Sequence, residues 1–204
     1  MQPAPYFADL ADNSLPVDAA WLTAGDGTRL RRAIWGKAVR GHVLLLPGRT
    51  EYIEKYGLLA DPAIAALPGP RLMFAHSMGG CIGLRALLNG FKPDAAVFSG
   101  PMWGIAINRY VKPIGEVIAR AGSKLGKGAL RMPGTKAETY VLSDPFEDNL
   151  LTGDAEYWAW MQSHTKARPE LGLGGPTLRW LDAAREEFVR FDAAQMPQTP
   201  LGCD

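Results

Sequence analysis

The chain has 204 residues, 47% of them hydrophobic and 21% charged, with 22 Lys and Arg against 21 Asp and Glu. The length fits one domain with a large insertion, and the near-zero net charge of +1 excludes a globally basic nucleic-acid binder and an acidic disordered tail. Two cysteines make no disulfide framework, no apolar run reaches membrane-spanning length and the N-terminus lacks a secretory pattern, so the expectation is a soluble intracellular protein.

Residues 1–18 mix Pro, Asp, Asn and Ser with scattered apolar side chains and read as an irregular arm. Two extended runs, 20–24 and 28–35, flank Gly25-Asp26-Gly27 and predict a β-hairpin. Three short apolar runs follow at 42–46 (HVLLL), 71–75 (RLMFA) and 95–99 (AAVFS), each suited to a strand buried on both faces of a parallel sheet. Between the second and third lies CIGLRALLNG, a helix former closed by Asn89-Gly90. Strand, helix, strand is a βαβ unit, and it implies α/β architecture.

Beyond Trp103 the periodicity turns helical. Val111, Ile114, Val117, Ile118, Ala121 and Leu125 predict one helix, with Pro113 in its first turn. Asp154 caps a second, on which Tyr157, Trp160, Met161 and His164 share a face. Pro176 opens a third, with Leu178, Leu181, Ala184, Phe188 and Phe191 as its apolar face. These stripes are expected to be buried, and no strand signal returns until Thr199.

The strongest chemical signal is Ala75-His76-Ser77-Met78-Gly79-Gly80, placed where a strand turns into a helix. That is the context of a nucleophile elbow, in which a strained backbone lifts the serine hydroxyl clear of the sheet and small neighbours let strand and helix approach. The first position holds Ala where the pattern has Gly, and the plainer reading of Ser77 is a turn serine. The loop Pro47-Gly48-Arg49-Thr50-Glu51 follows the first parallel strand. A serine hydrolase needs two backbone N–H groups aimed at the developing oxyanion. Met78, after the nucleophile, and Arg49, in this loop, are the candidates, against a plain strand-end turn at 47–51. Cys81 reads as a small buried residue, and Gly122–Gly128 lacks the spacing of a phosphate loop. Arg120, Lys124, Lys127, Arg131 and Lys136 form a basic cluster, either a solvated face or an edge that meets anionic headgroups.

LLLPGRTEYIEKYG, FAHSMGGCIGLRALLNG, FSGPMWGI and the stretch from LSDPFEDNLLTGD to RPELGLGGPTLRWL resemble the bacterial lysophospholipase and monoacylglycerol-lipase branch of the α/β-hydrolase family. The resemblance implies an α/β-hydrolase core with an inserted helical cap: residues 1–103 as core, shortened between 57 and 70, 104–194 as cap, and 195–204 as the start of a returning, truncated core strand. It implies hydrolysis of carboxylic esters of single-chain lipids, with Ser77 as nucleophile and Arg49 and Met78 as oxyanion donors. Metal, organic cofactor and nucleic acid have no part in that chemistry. Met102, Trp103, Trp158 and Met161 would line an acyl pocket, or serve as plain core. The compartment expected is the cytoplasm, with peripheral contact to the inner membrane left open.

The sequence departs from the family pattern in two places. Only 24 residues separate Leu46 from Arg71, where the family has helix, strand and helix, so a core strand is expected to be absent. A short helix at 52–59 and a turn at 62–67 fit that interval. The family's acid and base positions are not evident either. His42 reads as structural, His76 as pointing away from its neighbour, His164 as a residue of a helix face, and Asp204 as a weak match to the acid's turn. The competing reading is therefore a catalytically idle or truncated relative that binds a lipid or a partner.

Overall fold

The computed structural model describes residues 1–13, 15–37, 41–60, 71–106, 109–194 and 201–203. They form two compact units, Met1–Pro101 with Gln198–Asp204, and Met102–Pro197.

In the first unit the predicted hairpin forms at Gly25-Asp26-Gly27. The Asp26 carboxylate accepts the Thr28 N–H at 2.9 Å, and Gly27 takes φ +84, a conformation that costs glycine nothing. Strands β2 (Val17–Thr23) and β3 (Arg29–Trp35) pair antiparallel from Val17↔Trp35 to Thr23↔Arg29. The arm expected to be irregular is ordered instead. Gln2–Pro3 adds to β2 as a short strand β1, and Ala8–Ala11 forms a helical turn, α1.

A distant carboxylate explains that order. Glu54 is 0% exposed and sits in a short 3-10 helix, Ile53–Tyr56. Arg31 of β3 grips it bidentately, Nη1 to Oε1 and Nη2 to Oε2, both at 2.7 Å. The Phe7 N–H donates to Oε1 at 3.0 Å, while Arg31 Nη1 also donates to the Pro5 carbonyl. Gly57 then lies so close to the Ala11 carbonyl that any Cβ would overlap it. Arm, antiparallel sheet and the 51–57 segment therefore meet at one buried charge.

The βαβ reading holds in detail. Strands β4 (His42–Leu46), β5 (Arg71–His76), β6 (Ala95–Ser99) and β7 (Leu201–Cys203) form a parallel sheet in that order. β4 lies directly beside β5, from His42↔Arg71 to Leu46↔Ala75, as the shortened interval requires. Helix α2 (Met78–Leu88) covers the buried side chains Met73 and Ala75, with Gly83 placed over both. Residues 53–60 are helical, near the expected 52–59; the turn expected at 62–67 lies outside the described residues, as does Asp204. Among the described residues the antiparallel strands do not join the parallel sheet. Among the described residues β4 therefore pairs on one side only, with β5, and His42 and Leu44 are exposed. This corrects the expectation of a strand buried on both faces, because burial of a parallel strand depends on what covers it as well as on its own apolar run.

The second unit is helical among its described residues, with α3 (Lys112–Lys124), α4 (Tyr140–Ser143), α5 (Ala155–Ala167) and α6 (Leu178–Ala193), and its only β feature there is an isolated bridge between Arg131 and Thr177. Asp154 caps α5 by accepting the Glu156 and Tyr157 N–H groups. Thr177, one residue past the expected Pro176, caps α6 by accepting the Trp180 N–H. Its N-terminal apolar face, Leu178, Leu181 and Ala184, is buried.

Helix α3 forms where periodicity places it but turns the opposite way. Its inner face is made of small residues. Ala119 is fully buried, and a Cβ on Gly122 would run into the Leu178 side chain of α6. The predicted stripe of large aliphatics lies outside, with Ile118 at 40% and Leu125 at 73% exposure bracketing the rest. This corrects the expected burial: close backbone approach of α3 to α6 selected glycine and alanine for the contact and left the branched side chains in solvent.

Removing one partner of the buried ion pair strands the other charge. Glu54→Gln is expected to lower stability by about 3–5 kcal/mol in urea unfolding, with most of the loss recovered when Arg31 is also replaced by Met.

Candidate active site

The site is built on the end of β5. Ser77 falls between β5 and α2, in neither, with φ +50 and ψ −117. A non-glycine residue in that region is held there by its surroundings. The restraints are visible. The Ser77 N–H donates to the Ser99 carbonyl of β6 at 3.1 Å, and the Gly80 N–H returns to the Ser77 carbonyl at 2.9 Å. Gly79 sits against the Leu46 and Pro47 carbonyls at the end of β4, closer than any Cβ allows. The helix N-terminus thus presses on the neighbouring strand end, which a side chain at 79 would forbid.

That contact brings the 47–51 loop to the serine. A Cβ built on Gly48 would lie 3.3 Å from the Ser77 Cβ and 2.7 Å from Glu51 Oε2. Glu51 shapes the loop: its Oε2 accepts the Gly48 N–H at 2.6 Å and the Tyr56 hydroxyl, and its Oε1 takes the Lys55 ammonium at 2.6 Å. Burial works against the charge on Glu51. The attraction of Lys55, with the hydrogen bonds from Lys55, Tyr56 and Gly48, outweighs it and holds the carboxyl below its ordinary value. Thr50 takes φ +69 in the same turn, and burial lowers the pKa of the Arg49 guanidinium. Glu51 and Tyr56 were not singled out from the sequence. The available signal was a carboxylate three residues after the turn glycine, spaced to reach back to its N–H as in a capped turn.

Of the predicted residues, Ser77, Met78 and the loop bearing Arg49 come together. Met102 and Trp103 are half-buried and belong to the second unit. Trp158 and Met161, both 4% exposed, pack with Val141 into that unit's own core, against Tyr140, Leu142, Phe146 and Trp160. Trp158 meets Tyr140 edge to face at 6.0 Å. This is the plain-core alternative for those two side chains. Among the histidines, His76 places Nδ1 3.0 Å from the Ser99 carbonyl. His42 begins β4 and so lies at the opposite end of the parallel sheet from Ser77. His164 is buried on α5 with its ring 4.1 Å from that of Trp160. No group of three or more potential metal ligands occurs among the described residues.

A parallel sheet, a strained serine at a strand-to-helix turn and a glycine loop from the adjacent strand end define the α/β-hydrolase fold. The comparisons agree. The structure matches a soluble variant of monoglyceride lipase from Saccharomyces cerevisiae, determined in complex with a substrate analog, at TM-score 0.57 and 17% identity, covering all of this chain and 79% of that one. In sequence the chain is 32% identical over 110 residues to a probable lysophospholipase L2 of Haemophilus influenzae, covering 53% of this chain. It spans about a third of the length of that curated relative, 34%. No family model matches. The chain thus has the α/β-hydrolase fold, and part of its sequence is similar to a probable lysophospholipase.

Two outcomes test this geometry. Gly79→Ala drives a methyl into the β4 carbonyls and is expected to cost about 1–3 kcal/mol or more in thermal or urea unfolding. The contribution of Glu51, whose folded pKa is depressed, is fully present above its unfolded value of about 4.3 and is lost as pH falls through the lower folded value. Hydrogen exchange at the Gly48 amide should therefore quicken across that acid window once intrinsic exchange is corrected for, and Glu51→Gln should remove the step.

Proposed function

We propose that this chain carries the nucleophile and oxyanion loop of a carboxylic-ester hydrolase for single-chain lipids, of the lysophospholipase or monoacylglycerol-lipase type. The observation that supports it best is the strained φ of Ser77 at the turn, with the Gly48 loop against its Cβ. In this reading Ser77 Oγ attacks the ester carbonyl, and the Arg49 and Met78 N–H groups hold the oxyanion that forms. The leaving alcohol departs as the acyl-serine closes, and water later releases the fatty acid. Glu51 positions the oxyanion loop through the Gly48 N–H. Met102 and Trp103 are the proposed acyl-lining residues. The proposed setting is the cytoplasm, and among the described residues no helix is long and apolar enough to cross a membrane.

The base limits the rate. A serine hydroxyl is a weak nucleophile at neutral pH without an adjacent proton acceptor. Within the first unit His76 is engaged with the Ser99 carbonyl and His42 lies at the far end of the sheet. The 204-residue chain is therefore expected to hydrolyse esters slowly, at the level that oxyanion hole and binding alone provide, roughly 10³–10⁴ over water.

Fluorophosphonate labelling and hydrolysis of a short-chain ester test both statements. The expected result is slow labelling at Ser77, lost in Ser77→Ala. Labelling that survives Ser77→Ala overturns the assignment of the nucleophile. Fast turnover abolished by Ser77→Ala would show that a base reaches the serine, and His164→Ala is the variant that then locates it.

A further inference from the structure

Among the described residues the two sheets have four outer edges, at β1, β3, β4 and β7. An edge strand offers its unpaired N–H and C=O groups to any other strand unless something blunts it. Three of these edges are blunted. β1 has two residues, one of them Pro3, β7 has three residues, and β3 carries Arg29, Arg31 and Arg32. β4 has none of these protections. Its five residues, HVLLL, include no proline, lysine, arginine or acid, and they pair with β5 without a bulge from His42↔Arg71 to Leu46↔Ala75. Leu44 lies on the same face as Met73, which α2 covers, yet is 42% exposed. We propose that the outer edge of β4 pairs with the same edge of a second copy of this chain, antiparallel about a two-fold axis at Leu44, joining two four-stranded sheets into one.

The sequence of the strand selects the occupant. Antiparallel pairing about Leu44 sets it against the partner's Leu44, Val43 against the partner's Leu45 and His42 against the partner's Leu46. Residues two apart share a face, so the aliphatic pairs meet in register, and the one ionisable side chain, His42, never faces its own copy. The contact is isologous, so forming it consumes both open edges and stops at two copies. A strand from an unrelated protein would gain the same backbone hydrogen bonds without this matched register of side chains. Pairing also braces the strand whose end carries the 47–51 loop. It uses no residue of the Ser77 site and does not depend on the ester-hydrolase reading.

The test is sedimentation equilibrium of the full chain, which should show a reversible monomer–dimer equilibrium. L44K and L44E should each raise the dimer dissociation constant by roughly tenfold or more, because like charges then oppose one another at the axis. Mixing the two variants should restore a heterodimer. L44C should cross-link into a dimer under mild oxidation, since directly opposed Cα atoms in an antiparallel pair are about 4.5–5.5 Å apart, within disulfide range. L30C, at a β3 position 54% exposed, sets the background, as does the parent chain with Cys81 and Cys203. A parent that stays monomeric, a dimer indifferent to both charge variants, a mixture that does not recombine, or larger aggregates without a dimer overturns the proposal. So does L44C cross-linking no faster than L30C, and that result decides where a charge at position 44 lowers the melting temperature. Ser77→Ala should dimerise like the parent, so failure of the hydrolase reading and failure of this one give different results.

Discussion

A carboxylate taken wholly out of water must be compensated in place, and Glu54 is such a group. Its charge is met by a bidentate guanidinium and a backbone N–H drawn from two remote parts of the chain. The N-terminal arm and the antiparallel sheet have no ladder connecting them to the parallel sheet among the described residues, so this demand for compensation is the polar tie that gathers them around residues 51–57. The same short segment carries Glu51, which faces the other way and closes the loop at Gly48. Two carboxylates three residues apart thus fasten the 51–56 segment at both sides, one to the sheet of the arm and one to the loop beside Ser77.

The second constraint is steric. The sharp turn at Ser77 is useful only if the helix that follows stands close to the sheet, and Gly79 and Gly83 grant that approach at β4 and β5 respectively. Hydrogen bonds from the Ser77 N–H and from the His76 ring then anchor the turn to the Ser99 carbonyl of β6. Three adjacent strands converge on one residue. The candidate chemistry belongs to the end of the sheet because only there do strand termini, a helix start and a loop glycine meet.

Much of this was legible beforehand. The turn residues at 25–27 and the three apolar runs gave the right strands, since both signals are local. Ser77 was legible because its neighbours must be small for a steric reason that sequence displays. The order of the N-terminal arm was not, because its partner is a single carboxylate about 50 residues away and no periodicity records such a contact. The facing of α3 was not legible either. Apolar spacing identifies a helix but not which face meets the protein, and here glycine and alanine, silent in any hydrophobic pattern, make the contact. The role of Glu51 is not legible in the sequence because it depends on a turn geometry that residue types alone do not specify.

The conformation of Ser77 has a bearing on how this chain drifts. A serine forced to positive φ costs on the order of 1–3 kcal/mol, and glycine at the same position would relieve most of it. Mutational drift guided by folding stability alone runs downhill toward glycine here, with Gly79 and Gly80 already alongside. A hydroxyl kept at position 77 is therefore held against a stability gradient, and the size of that gradient measures how strong any selection for the side chain has to be.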